Sequence, residues 1–305
     1  FGYEGKFRIV PLNFGEYEGE KIFDYEEVGV ITKDMSFEDY LQLRIMALFV
    51  ESLHNGKPFN EFFLYAKNYN IQSATFLKIL IDNIKNAAPE IQNLVNEFVT
   101  ETRSELWDSE EALLEHYRKD ENYLKLKNGE VGGNLIYKYK SKSIVESSSK
   151  WLEFFKSELY NAIVAKQNNI TNLDKIKLEI DEISKFCQLK LHGLLNPQIK
   201  SSSIESNFTH DILQWIDNYD EKSNLSDFKL NHEEKLFFEY TKDQMEIRDD
   251  VFKRYGTSIN ALSKIVTRIS NLESQFRKVR NGNDKYLRDV YKKVGDTFVK
   301  YALSN

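Results

Sequence analysis

The side chains with the most chemical potential are few and scattered. Glu51 and His54 stand three residues apart, so a helix would carry both on one face, the spacing by which di-iron carboxylate bundles hold their ions. Such a centre needs two of these motifs and two further glutamates, and no second Glu-x-x-His occurs. His54 therefore reads as an imidazole near a helix carboxyl end, interacting with the helix dipole. His116, His192, His210 and His232 lack cysteine or paired-histidine spacing, which argues against a zinc site. The single cysteine, Cys187, lies amid Ile180, Ile183, Phe186 and Leu191 and reads as a packed thiol rather than a nucleophile. One cysteine also excludes an internal disulfide and any multi-cysteine iron–sulfur or zinc site within these residues. No Gly-x-Ser-x-Gly, His-Glu-x-x-His, phosphate loop or dinucleotide fingerprint is present, so hydrolase, metalloprotease and nucleotide-enzyme readings lack their minimal parts.

Residues 135–142 interleave Tyr137 and Tyr139 with Lys138, Lys140 and Lys142, a composition able to stack bases and pair phosphates. On a helix the lysines spread around the cylinder, which favours a solvated face beside a core stripe of Leu135, Tyr139 and Val145. A second basic group, Arg268, Arg277, Lys278 and Arg280, is offset by nearby acids and reads as surface. As contacts for an anionic ligand or a docking domain, the best candidates are Tyr137, Lys138 and Lys140 with Arg268.

The elements around these residues are mostly helices. Residues 6–12 and 20–32 are rich in β-branched and aromatic residues and flank the turn from Gly15 to Gly19, which predicts a β-hairpin with Pro11 at an edge or strand end. Ser36 with Asp39 caps a helix over about 37–54, which buries Leu41, Ile45, Leu48 and Phe49. The next helix starts near Pro58. Helices follow at about 73–86, 89–106 and 109–119, then a break at Gly129, Gly132 and Gly133, then helices near 134–147, 149–166 and 172–193. Ser201 to Ser203 reads as a linker. Beyond it, 235–240 reads as a short strand, Thr241 with Gln244 as a capping box for a helix ending before Gly256, Ser258 as the cap of another, and 284–303 as a terminal amphipathic helix.

The expected fold is mainly α, an irregular multi-helix array with a short N-terminal β-hairpin and a small α/β C-terminal part. Scarce glycine (13) and proline (4) against 21 Phe and 17 Tyr favour long helices over a turn-rich sandwich. The formal charge of −6, spread along the chain, gives no general attraction to nucleic acid or anionic lipid. No apolar run is long enough to span a membrane and no signal-peptide pattern opens the chain, so a cytoplasmic location is expected.

Several segments occur in a telling order. They are Phe-Arg-Ile-Val-Pro-Leu-Asn-Phe-Gly-Glu-Tyr-Glu-Gly (7–19), Tyr-Glu-Glu-Val (25–28), Met-Ser-Phe-Glu-Asp-Tyr-Leu (35–41), Asn-Leu-Ile-Tyr-Lys-Tyr-Lys (134–140), Phe-Lys-Arg-Tyr-Gly (252–256) and Ile-Val-Thr-Arg-Ile-Ser-Asn-Leu-Glu (265–273). Together they resemble the region after the catalytic barrel in cobalamin-binding-type radical-SAM proteins. The resemblance implies residues 1–34 as a β segment leaving an upstream barrel, 35–200 as a helical domain and 201–305 as a smaller C-terminal α/β region. It further implies a partner in that barrel domain of the same polypeptide, and a parent chain using a 4Fe-4S cluster, S-adenosylmethionine and cobalamin. No cluster ligand or cofactor residue carries over to these positions, so the expected role is an accessory cover or substrate holder without a catalytic centre. A helical scaffold module and a nucleic-acid-binding module are the two alternatives, the latter disfavoured by charge.

Overall fold

The computed structural model describes residues 2–166, 172–199, 203–219, 223–268, 272–282 and 284–291. Strands β1 (Glu4–Tyr17) and β2 (Glu20–Ile31) form the antiparallel hairpin. Its tip is the two-residue turn Glu18-Gly19, both with positive φ (51° and 85°), a conformation that matches the twist of the strands and that glycine adopts without strain. Pro11 and Leu12 fall in the register shift between Ile9 and Phe14, where β1 bulges and needs no ladder donor. Ile9 and Phe23 turn inward onto Leu113, Tyr117, Tyr123 and Leu126. Those residues belong to α5 (Glu110–Arg118) and α6 (Asp120–Lys127); α6 had no counterpart in the sequence reading.

Helix α1 (Phe37–Phe49) starts at a Ser36–Asp39 capping box and passes directly into a π-helical turn, Val50–His54. Next come α2 (Asn60–Asn68), α3 (Ser73–Asp82), α4 (Pro89–Ser104) and α7 (Leu135–Ser141). A second π turn, Lys142–Glu146, leads toward α8 (Ser148–Lys166) and α9 (Leu173–Leu191). Their common core is organised on Phe155, whose ring lies 5.0–5.7 Å from those of Phe59, Phe62, Phe63 and Phe76. Offset and edge-on pairs of this kind add to the stabilisation from burial alone.

The sheet β3 (Ile204–His210), β4 (Lys229–Glu239) and β5 (Lys278–Asn281) is antiparallel in that order. Phe208 and Phe238 from this sheet pack on Phe186 of α9, so the apolar core continues across position 200. Helices α10 (Ile212–Asp217), α11 (Lys242–Tyr255) and α12 (Ile259–Arg268) complete the part, α11 with its Thr241–Gln244 capping box and α12 with Ser258 accepting from Ala261. The fold class is thus mainly α with two small sheets. Two local expectations are corrected. The strand at 235–240 is the end of a longer one that pairs on both sides. Residues 284–291 are not helical: Arg288 pairs with Val279 in an isolated bridge, bends flank it, and Val290 and Tyr291 are buried in the core. The rest of that expected helix, 292–303, lies outside the described residues. Among the described residues no helix is long and apolar enough to cross a membrane.

Candidate functional site

The basic helix α7 meets an acidic face. Glu97 and Glu101 lie four apart on α4, and Lys138 of α7 and Lys142, which opens the second π turn, are also four apart, so each pair projects from one side of its helical segment. Lys138 Nζ donates to both Glu101 carboxylate oxygens at 2.7 Å, and Lys142 Nζ to Glu97 at 2.7 Å. Tyr139 OH also donates to Glu101, and burial with the neighbouring carboxylate pushes its pKa up. Lys140 Nζ reaches Glu51 of the first π turn at 2.6 Å. Burial alone would raise Glu51, but the bonds from Lys140 and Asn55 outweigh it and hold the carboxyl below its usual range. The face expected to be solvated is therefore an ion-paired seam between helices, buried at Lys140 (6% exposed) and open to solvent at Glu97.

Tyr137, Lys138 and Lys140 thus share one short helix with both ammoniums engaged, and Tyr137 packs against the core. Helix α12, which ends at Arg268, packs on α7, but the Arg268 side chain lies outside the described residues. Glu51 and His54 do not converge: His54 stands edge-on to Phe63 at 5.0 Å. Each π turn also buries a serine hydroxyl, Ser52 or Ser143, that has no hydrogen-bond partner among the described residues.

A second constellation, which sequence reasoning missed, is fully buried. Lys190 of α9 donates to both oxygens of Glu61 of α2 at 2.9 and 2.7 Å, and to the Lys57 carbonyl at 3.2 Å. Tyr291 OH lies 2.6 Å from both Lys190 Nζ and Glu61 Oε1. The Cys187 thiol donates to Glu61 Oε2 at 3.0 Å, and burial followed by the Glu61 charge pushes that thiol up. Lys190 and Glu61 are each 0% exposed. Chemically, the lysine is a saturated cation and the cysteine an unactivated thiol.

A third network joins α9 to the C-terminal sheet. His210 Nδ1 lies 2.5 Å from Glu182, and its Nε2 lies 3.8 Å from Glu179. Thr209 gives Glu182 both its backbone N–H and its hydroxyl. Burial alone would raise Glu182; the His210 and Thr209 bonds outweigh it and leave the carboxyl lowered. Glu179 accepts from Tyr65 OH at 2.6 Å and from Ser226 at 2.8 Å. Arg277 corrects a further expectation, because its guanidinium is buried rather than superficial. It donates to the carbonyls of His192 and Phe238 and lies over the Tyr240 ring at 4.4 Å.

Two clefts open on the surface. One, of about 180 Å³, lies between the second π turn, Ser148 and Ser149 at the start of α8, and Gln188 and His192 around the end of α9. The other, wider and about 720 Å³, lies beside the hairpin tip and α6. Compared with known proteins, the chain matches no protein-family model and no curated protein. No three histidine, cysteine or acidic side chains are grouped for a metal among the described residues. A four-iron cluster of the radical-SAM kind takes three cysteines, and this chain has Cys187 alone, buried and bonded to Glu61. The residues present do not fit that group.

Proposed function

We propose that the chain is the accessory, mainly helical module of a radical-SAM enzyme of the cobalamin-binding type, covering the barrel or positioning substrate. The cluster, S-adenosylmethionine and cobalamin belong on this reading to the barrel and the cobalamin domain of the parent chain. One observation carries it: the ionisable groups that converge inside this chain are saturated by one another. Lys190 donates to Glu61, Tyr291 and Lys57, while Lys138 and Lys140 of α7 and Lys142 just after it pair with Glu101, Glu51 and Glu97. Groups bonded in this way brace helices against each other rather than await a substrate. The segments that carry the family resemblance are used in the same way, as hairpin, helix cap and ion-paired helix.

Radical intermediates must be kept from water, and a braced helical cover serves that end. Deleting residues 35–305 from the parent enzyme is expected to lower turnover or substrate affinity. Unchanged turnover and affinity would rule the reading out. The coding sequence ahead of Phe1 gives a second test, because a Cys-x-x-x-Cys-x-x-Cys loop is required there.

A further inference from the structure

Among the described residues nothing pairs with the outer edge of β2. Phe7 exchanges both backbone bonds with Trp107 (2.8 Å each), so its N–H and C=O point away from β2. In an antiparallel ladder, residues directly opposite share this phase, so Glu27, its partner, turns its own backbone groups outward, and Tyr25 does so by alternation. At the tip, a two-residue turn makes Tyr17 and Glu20 the bonded pair, which turns Lys21 and Phe23 outward as well. None of these outward backbone groups has a partner among the described residues. The strand runs for 12 residues, and an open edge of that length is a template for pairing.

The charges along the hairpin specify what would pair. Lys6, Arg8 and Lys21 are committed to Asp108, to Glu26 and Glu105, and to Asp120. Glu16, Glu18, Glu20, Asp24 and Glu27 have no cation in ion-pair reach among the described residues, and Glu20, Asp24 and Glu27 are exposed. Beside them Ile22 is 53% exposed, and the 720 Å³ cleft touches the strand at its start, Glu20 and Lys21. A second copy of β2 would set acid against acid, which disfavours a self-paired dimer.

We propose that the outer edge of β2 accepts an additional strand from a partner protein, an extended segment in which Lys or Arg alternates with β-branched residues. Main-chain bonds supply the affinity, and the unpaired acids select the basic side chains. This stands independently of the radical-enzyme reading.

The test uses the whole chain and a blocked nonapeptide, Thr-Val-Lys-Val-Arg-Val-Lys-Val-Thr, at low salt, with hydrogen exchange read residue by residue. Binding is expected to slow exchange at the Tyr25 and Glu27 amides by about tenfold or more. The same peptide N-methylated at alternate residues keeps its charge but loses the ladder, and is expected not to bind. Combining Glu20→Lys with Asp24→Lys, which lie on one face of β2, is expected to weaken the unmodified peptide by about tenfold, and both positions are exposed enough to leave the fold intact. Equal binding of the N-methylated peptide would reduce the effect to attraction by an acidic surface and overturn strand addition. So would protection confined to other residues, or no binding at all.

Discussion

Replacing Lys190 by Met removes the cation from a carboxylate that has no access to water. Glu61 would keep only the Tyr291 hydroxyl and the Cys187 thiol as donors, a weak set for a full negative charge at 0% exposure. Leaving one member of a buried pair behind costs about 3–5 kcal/mol. With a denaturant slope of about 2–3 kcal/mol/M in urea, that moves the unfolding midpoint down by roughly 1–2.5 M. Fluorescence of the buried Trp151 and Trp215 reports the transition. The double variant Glu61→Leu with Lys190→Met removes both charges, leaves Tyr291 its bond to the Lys57 carbonyl, and should recover most of the loss. The coupling between the two sites is then at least about 2 kcal/mol. A Lys190→Met midpoint within about 0.3 M of the wild type, or a double variant as damaged as the two singles summed, would refute the description of a buried, mutually dependent pair.

Other outcomes follow from the same geometry. Because the Glu182 carboxyl is lowered in the folded state, the stability it contributes is complete above the ordinary glutamate range and is lost as pH falls through the lower folded value. Unfolding measured from neutral pH down to about pH 3 should therefore fall less steeply for Glu182→Gln than for the wild type. Cys187, buried and pushed up, should resist thiol reagents in the native protein and react at once in urea; fast native modification would contradict its packing. Gly193 has φ +73°, and a Cβ there would meet the Ile199 side chain at 2.7–3.1 Å, so Gly193→Ala should cost about 1–3 kcal/mol by the same denaturation assay.

Most helices were legible because their start signals are local. Ser36 with Asp39 and Thr241 with Gln244 each mark a helix start that the structure retains. Helix α6 was missed because it is short and follows α5 after Lys119 alone, with no capping side chain. The apolar spacing of 284–303 suggested a helix, yet strand pairing of Arg288 and burial of Tyr291 against distant partners decide 284–291 otherwise.

The polar networks were the least legible part, since their members lie far apart in sequence. A signal did exist in α9. Ile176, Glu179, Ile183, Phe186 and Lys190 recur at alternating three- and four-residue steps, which puts Glu179 and Lys190 in register with the core stripe. A charge in that register has to find a partner inside the protein. What one sequence does not supply is which one. The basic helix α7 misled for the complementary reason: lysines spread around a cylinder look solvated until a facing helix offers glutamates at the same interval.

The Tyr291 hydroxyl closes its bond to Glu61 across 230 positions of sequence. During synthesis α2 emerges long before the residue that completes its polar partner set, and domains generally begin folding from the N-terminal side. Until residues near 290 leave the ribosome, Glu61 lacks one of its donors, and its burial is correspondingly less favourable. Final consolidation of the early helices is in this way tied to the arrival of a late tyrosine, and a chain halted before it would stay loosened around α2 and α9.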